Sequence, residues 1–404
     1  MSGGSEGRWG RWGRRVRALA RPHLLPLGVY LAGAIATTWP SVFRLTTHVS
    51  GGLGDALQNI WNIWWVHRAL SEGRWLYFSE LQFHPEGSDL YFHTLSPATT
   101  VPTSALLFVG VSPVAAYNVA IIAHFVIAGW AHYLLARRLG AGLVGALAAG
   151  AALSFGPFHV AHSAGGHFQL TGIHWLSFYL LTLLALIDRP SIRRGALAAL
   201  LLALVTYTDW YILLNAGLLS VALLVGRWVE DRALLRSTAL WRGLGTAALG
   251  YCLLAGPLLH RMLTIRATEE LSPGHSSWYW AGDLQTLVIP NRHMSLSFLG
   301  HAHQSWTGNG VEASTYLGFG LLVLAAVAVA KGRRLVWLLA GMAALLALFT
   351  LGPYLHWGGA VLLDVPLPYR AVERHIPVLG LMGCPGRFAL GAAVCLTLAA
   401  SLGD

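Results

Sequence analysis

The side chains able to do acid–base or anion chemistry gather in a few short stretches of this sequence. Gly51-Gly52-Leu53-Gly54-Asp55 leads into a helical pattern that runs through Asn59, Trp61, Asn62, Trp64 and Trp65 to Arg68. Asp55, Asn59 and Asn62 stand at i, i+4 and i+7, so a helix puts them on one polar stripe. Trp61, Trp64, Trp65 and Arg68 form an aromatic and basic face suited to the headgroup level of a bilayer. Asp55 falls near the expected N-cap, just after the glycine turn. Its carboxylate either caps that helix or serves as a base above a membrane-bound substrate, and the two roles are compatible.

Other stretches offer weaker constellations. His84, Glu86, Asp89 and His93 are a borderline metal set, although a polar turn at Pro85-Glu86-Gly87 accounts for them as well. His159, His162, His167 and Gln169 share a short loop that could hold an anion or a cation, or simply be solvated. Asp209 falls where two apolar runs meet. A carboxylate at membrane depth is costly and thus a functional candidate, unless the turn rises into the headgroups. Arg387 opens the last apolar run, where its guanidinium could grip a phosphate through paired hydrogen bonds or snorkel to the interface. Cys252, Cys384 and Cys395 show neither metal spacing nor a disulfide framework.

The elements that must position these residues are membrane helices. Apolar residues make up 55% of the 404 and charged ones only 11%, against about 25% charged in a soluble domain. Mean hydropathy is +0.56. Uncharged stretches of ~17–22 residues are long enough to cross a hydrocarbon layer of ~30 Å. An all-α polytopic membrane protein is expected, with about ten spans near 24–43, 114–136, 141–156, 169–187, 195–208, 211–226, 243–260, 314–330, 335–350 and 385–403. Arg8–Arg21 followed by an apolar run resembles a signal peptide, but Trp39 and Pro40 suit the interfacial end of an uncleaved first helix.

The net charge of +10 does not mark a nucleic-acid partner, because the basic residues (26 Arg and Lys331) lie mostly in short clusters between spans. Alternating the spans from a cytoplasmic N-terminus leaves 18 basic residues inside and 8 outside, as the positive-inside rule requires. Twelve of the seventeen acids then face outward. The two long outer segments, 44–113 and 261–313, exceed ordinary connectors and are where function is expected. No sequence repeat of the kind many transporters carry is present.

In these motifs the chain resembles the bacterial polytopic membrane proteins related to the GT-C glycosyltransferases. The resemblance rests on Gly54–Trp61, Phe83-His84-Pro85, Phe155-Gly156-Pro157, and His162 with His167-Phe168-Gln169-Leu170. It continues in Val288-Ile289-Pro290-Asn291-Arg292-His293, Glu312 with Tyr316-Leu317-Gly318, Leu351–Leu355 and Pro385-Gly386-Arg387-Phe388. It implies one GT-C-like domain over residues 1–404, in a bacterial plasma membrane, with helices lying along the surface in the first outer segment and the active site outside. It also implies a polyprenyl-phosphate-linked sugar as donor, an acidic residue in that segment, here Asp55, and inversion at the anomeric carbon. Relatives commonly continue past the point where this chain stops at Asp404, so a truncated domain is expected.

The chemistry such a transfer needs is modest. A base must take the acceptor's proton, and cations must meet the departing phosphate, but no second carboxylic acid is required. Asp55 is the first candidate base and Asp209 its rival. Asn59, Asn62, His162, His167, Gln169 and Arg387 are candidates for holding substrate or phosphate, with Trp61 and Trp64 stacking on sugar or prenyl groups. A divalent cation is an optional aid. Two other classes compete. A transporter would use His124 and His132 near the midplane, and a scaffold would need no acidic outer face.

Overall fold

The computed structural model describes residues 8–270, 274–290, 305–308, 310–376, 379 and 382–403. The Asn291-Arg292-His293 part of one motif lies outside the described residues. In chain order the elements begin with α1 (Arg8–Thr37), α2 (Leu53–Glu72), strands β1 (Phe78–Ser79) and β2 (Ser88–Asp89), α3 (Pro97–Phe108) and α4 (Pro113–Leu139). Next come α5 (Leu143–Ser154), α6 (Pro157–Gly165), α7 (Phe168–Thr171), α8 (His174–Asp188), α9 (Ile192–Thr206), α10 (Trp210–Glu230) and α11 (Thr238–Thr268). The chain closes with α12 (Phe319–Ala330), α13 (Arg334–Thr350), strands β3 (Tyr354–Trp357) and β4 (Ala360–Pro366), α14 (Pro368–His375) and α15 (Ala389–Ser401). Both strand pairs are antiparallel hairpins, Phe78 opposite Asp89 and Trp357 opposite Ala360.

Every predicted apolar run contains a helix. Among the described residues, five helical stretches are long and apolar enough to cross a bilayer: Pro113–Leu139, Leu143–Gly165, Phe168–Asp188, Trp210–Glu230 and Thr238–Thr268. Four shorter apolar helices accompany them at Pro22–Thr37, Phe319–Ala330, Arg334–Thr350 and Pro385–Ser401. The protein is a multi-pass helical membrane protein. Its main core runs from Tyr30 through Leu135, Leu176, Leu180, Tyr211 and Ile212 to Phe388 and Leu398. Polar groups inside it are paired. His132 reaches Ser177 Oγ at 3.2 Å and Thr397 Oγ1 at 2.8 Å, and His124 reaches Thr171 Oγ1 at 2.7 Å. These two histidines, the candidates for a transport path, tie helices together.

The chain departs from the sequence reading at its connectors. Segment 44–113 holds several regular elements, with α2 packed on α3 and the stretch before it through Trp65, Val66, Ala69, Leu95 and Val101. The expected loop at 157–168 is α6, started by Pro157 at its first turn and ended by Gly166 at φ +83°, as helix starts and stops favour. Segments assigned to one side of the membrane meet in space. Asp188 takes Arg138 Nη2 at 2.6 Å and Arg227 Nε at 3.3 Å, joining three of the Arg-rich connectors.

Candidate active site

Two glycines fix where α2 begins. Gly51 has φ +98°, and a Cβ there would lie 2.6 Å from the Ser163 carbonyl oxygen; one on Gly166 would lie 2.7 Å from the Ala56 nitrogen. Backbone contact this close, with Gly52 N–H donating to Ala164 O at 2.7 Å, seats the first turn of α2 against the end of α6. Buried Asn59 locks the seat by donating to Gly166 O at 3.1 Å and to Asp55 O at 2.9 Å. Asn62 is also interior, donating to Thr94 O at 2.9 Å and accepting from His93 Nε2 at 2.7 Å. The polar stripe therefore faces protein. Only Asp55 and Asn59 of the three reach a chamber.

Asp55 does not cap α2. The N-cap is Gly52, with no side-chain cap bond, and Asp55 Oδ2 instead accepts from His167 Nε2 at 2.7 Å. That bond, joined by the imidazole's charge and only partly offset by burial, holds the Asp55 carboxyl below the ordinary aspartate range. His167 Nδ1 shares a 2.8 Å hydrogen bond with His162 Nδ1 and lies 3.6 Å from Glu312 Oε1. With Nε2–H given to Asp55, neutral His167 accepts at Nδ1, so His162 is the donor.

Glu312 is gripped by Arg387, whose Nε lies 3.0 and 3.2 Å from the two carboxylate oxygens and Nη2 2.6 Å from Oε1. Burial pushes the Glu312 carboxyl up, but the Arg387 charge and the two histidines outweigh it, and the group titrates at about 2. Asp55, His167, Glu312 and Arg387 thus form one chain of charged contacts. They come from α2, the α6–α7 junction, the segment before α12 and the turn Pro385–Phe388.

All four line a polar chamber of about 390 Å³, together with Gln58, Thr94, Gln169 and His275. Beside it lies a largely apolar chamber of about 470 Å³, walled by Trp210, Leu259, Met262, Leu263 and Met382. Thr94, Gln169, His275 and Arg387 line both, and Arg266 and Asp209 line the apolar one. Asp209 is the N-cap of α10, its Oδ1 accepting from Tyr211 N at 2.8 Å and Ile212 N at 3.4 Å. Burial raises its pKa against the pull of Arg387 and those two amides.

Other expected groupings do not assemble. Asp89 pairs with Arg261 at 3.0 Å and His93 is bound to Asn62, so with His84 and Glu86 they do not gather into a metal site. Among the described residues the group near enough to share an ion is His162, His167 and Glu312, with ligand atoms within 4.8 Å of one another. This mixed nitrogen and carboxylate set suits a borderline divalent cation, which would have to loosen the Arg387 grip on Glu312. Trp61 stacks on Trp65 at 5.9 Å and Trp64 carries the Arg68 guanidinium at 5.5 Å. Neither indole lines a chamber, because both are used in packing α2 on its neighbours. His159 is a strut between Ser154 O and Thr171 O at 2.8 and 3.1 Å. The sequence reading left out Gln58, Thr94, His275 and Arg266, which carry no periodic signal. It counts Glu312 among the outer acids and in the resemblance but gives it no role.

The chain is similar to the arabinofuranosyltransferase AftD from Mycobacteria, at 17% identity and a TM-score of 0.53, covering 95% of this chain and 26% of that one. It is also similar to the oligosaccharyltransferase of Archaeoglobus fulgidus, at 16% identity and a TM-score of 0.48, covering 94% of this chain and 49% of that one. The chain thus spans about a quarter and about half of these two proteins, and the first likeness shows the fold alone. Residues 26–403 match a family described as a domain of unknown function, DUF6311, and the chain belongs to that family. No curated protein matches it in sequence.

Proposed function

We propose that this protein is a membrane glycosyltransferase that moves a sugar from a polyprenyl-phosphate donor to a hydroxyl acceptor on the outer face of the bacterial plasma membrane. The observation that carries the reading is the pair of joined chambers, one polar with an ionised carboxylate, the other apolar, with Arg387 and His275 lining both. A donor and acceptor of this kind have the same division: an isoprenoid tail for the apolar space, a phosphate for the junction beside Arg387, and an acceptor hydroxyl on the polar side.

Asp55 accepts the proton of the acceptor hydroxyl as its oxygen forms a bond to the anomeric carbon. The bond from that carbon to the phosphate oxygen breaks, and the electron pair leaves with the phosphate. Arg387 and His275 at the junction, with Arg266 beyond, receive the growing negative charge. Attack from the face opposite the phosphate inverts the anomeric centre. Base catalysis of this kind is worth roughly 10²–10⁴-fold, and charge held in place for the leaving oxygens contributes more. A divalent cation held by His162, His167 and Glu312 would supply further positive charge near the reacting centre.

The test is transfer of sugar from a lipid-linked donor in membranes carrying the wild type or Asp55→Asn. The amide cannot take the proton, so turnover is expected to fall ~10²-fold or more at unchanged expression. Near-normal turnover by the variant would remove Asp55 as the base and leave Asp209 as the carboxylate to test.

A further inference from the structure

A third chamber, of about 90 Å³, shares Thr94 and Gln169 with the other two. Its walls are aromatic on several sides, from Tyr77, Tyr91, Phe92, Tyr207 and Trp210, and Asp209 stands among them. Gln169 lines all three chambers. It is 6% exposed, and its amide oxygen has no hydrogen-bond partner. A rotation of the amide presents either its oxygen or its N–H groups to the junction.

Asp209 is more suited to holding a ligand than to acting as a base. Its Oδ1 is taken by the two amides at the start of α10, which fixes the orientation of the carboxylate. Among the described residues no donor reaches Oδ2, and that atom is not sealed in the interior. A rigid carboxylate oxygen beside aromatic faces takes a hydroxyl of a neutral ring and repels a phosphate. The flat apolar faces of such a ring pack on aromatics while its edge is hydrogen-bonded. This is the chemistry of a monosaccharide.

We infer that the third chamber holds the donor sugar, with Asp209 Oδ2 and Gln169 bonding its hydroxyls and setting which sugar is accepted. The arrangement rests on the lipid-phosphate reading above: tail in the apolar chamber, phosphate at the junction, sugar turned into the side chamber, acceptor in the polar chamber with Asp55. Asp209 thereby changes from rival base to sugar-binding residue.

The experiment measures Kd in nanodiscs for farnesyl phosphate and for farnesyl phosphate carrying a pentofuranose, a hexopyranose or an N-acetylhexosamine. The gain in affinity from the sugar is the readout. In the wild type at least one sugar is expected to improve binding. Asp209→Asn keeps the cap, since Asn caps as well as Asp, and is expected to leave farnesyl phosphate within about twofold. It should reduce that sugar's gain roughly tenfold, as loss of a charge-assisted hydrogen bond does. Gln169→Met, of similar length but without polar atoms, should lower the gain about fivefold. Leu258→Phe, which fills the chamber from α11, should remove it. A sugar gain that survives Asp209→Asn and Leu258→Phe overturns the inference and leaves the lipid-phosphate reading standing. So does a wild type that gains nothing from any of the three sugars. Equal loss of both kinds of probe on Asp209→Asn would also overturn it, by making Asp209 a support of the fold or the phosphate. Failure of the wild type to bind farnesyl phosphate overturns the reading beneath and this inference with it.

Discussion

Asp55 lies in the first turn of α2, half-exposed on the chamber side and bonded to a histidine that is itself buried. The His167 bond is the first cause of its low pKa, so His167 is expected to set the acid limb of activity. In the wild type that limb should lie below the ordinary aspartate range of about 3.9. In His167→Ala it should move up towards that range, and a pH profile of kcat/KM checks this, since the profile reports the free enzyme's base. An unmoved limb would mean that Asp55 is not the titrating base. Glu312 has a separate signature in stability. Its folded pKa of about 2 is below the ordinary glutamate value of 4.5, so the unfolded state takes up protons first as the pH falls. The stabilisation is therefore full above about 4.5 and is lost between there and about 2. Thermal melting in detergent over this window should show a smaller pH dependence for Glu312→Gln than for the wild type.

At the scale of elements, the site depends on pieces distant in the chain being held at fixed contact. The Arg387–Glu312 pair joins the Pro385–Phe388 turn to the segment before α12, with side chains 13% and 4% exposed. Removing one partner leaves an unpaired buried charge at a cost of about 3–5 kcal/mol, whereas replacing both with apolar groups is often nearly neutral. Arg387→Leu should therefore melt well below the wild type, and Arg387→Leu with Glu312→Leu should recover much of the loss while remaining inactive. Equal melting of the single and double variants would refute the buried-charge argument. The seat of α2 is the second such contact. Gly166→Ala adds a Cβ 2.7 Å from the Ala56 nitrogen at a residue with φ +83°, a conformation that costs of order 1–3 kcal/mol for a non-glycine residue. Lower stability is expected together with a loss of activity, because the first turn of α2 must shift and Asp55 shifts with it.

At the scale of the whole molecule, the Arg-rich connectors meet around Asp188 while the carboxylates and histidines of the chambers gather from segments assigned to the other side. The basic asymmetry predicts that the chamber end faces outward. In a Cys252→Ser background, which removes the exposed native thiol, Glu86→Cys should be labelled by an impermeant maleimide in intact cells. Ala233→Cys should be labelled only after permeabilisation. Labelling of Ala233→Cys alone in intact cells would invert the topology.

What the sequence determined by itself was the class of molecule. Hydropathy acts locally along the chain, so the apolar runs, and the polar segments between them that include Asp55, could be read from residue order. What only the tertiary structure decided was the partner of each polar group. Asn62 and Trp61 have the same helical spacing whether they face a substrate or the protein, and only packing bound Asn62 to Thr94 and His93 and set Trp61 against His93 and Trp65. His162 and Glu312, 150 positions apart, share no local signal, and their meeting depends on the close backbone contact at Gly51 and Gly166 and on the grip of Arg387. The chambers themselves are spaces between helices, set by how those helices pack, and no stretch of sequence contains them.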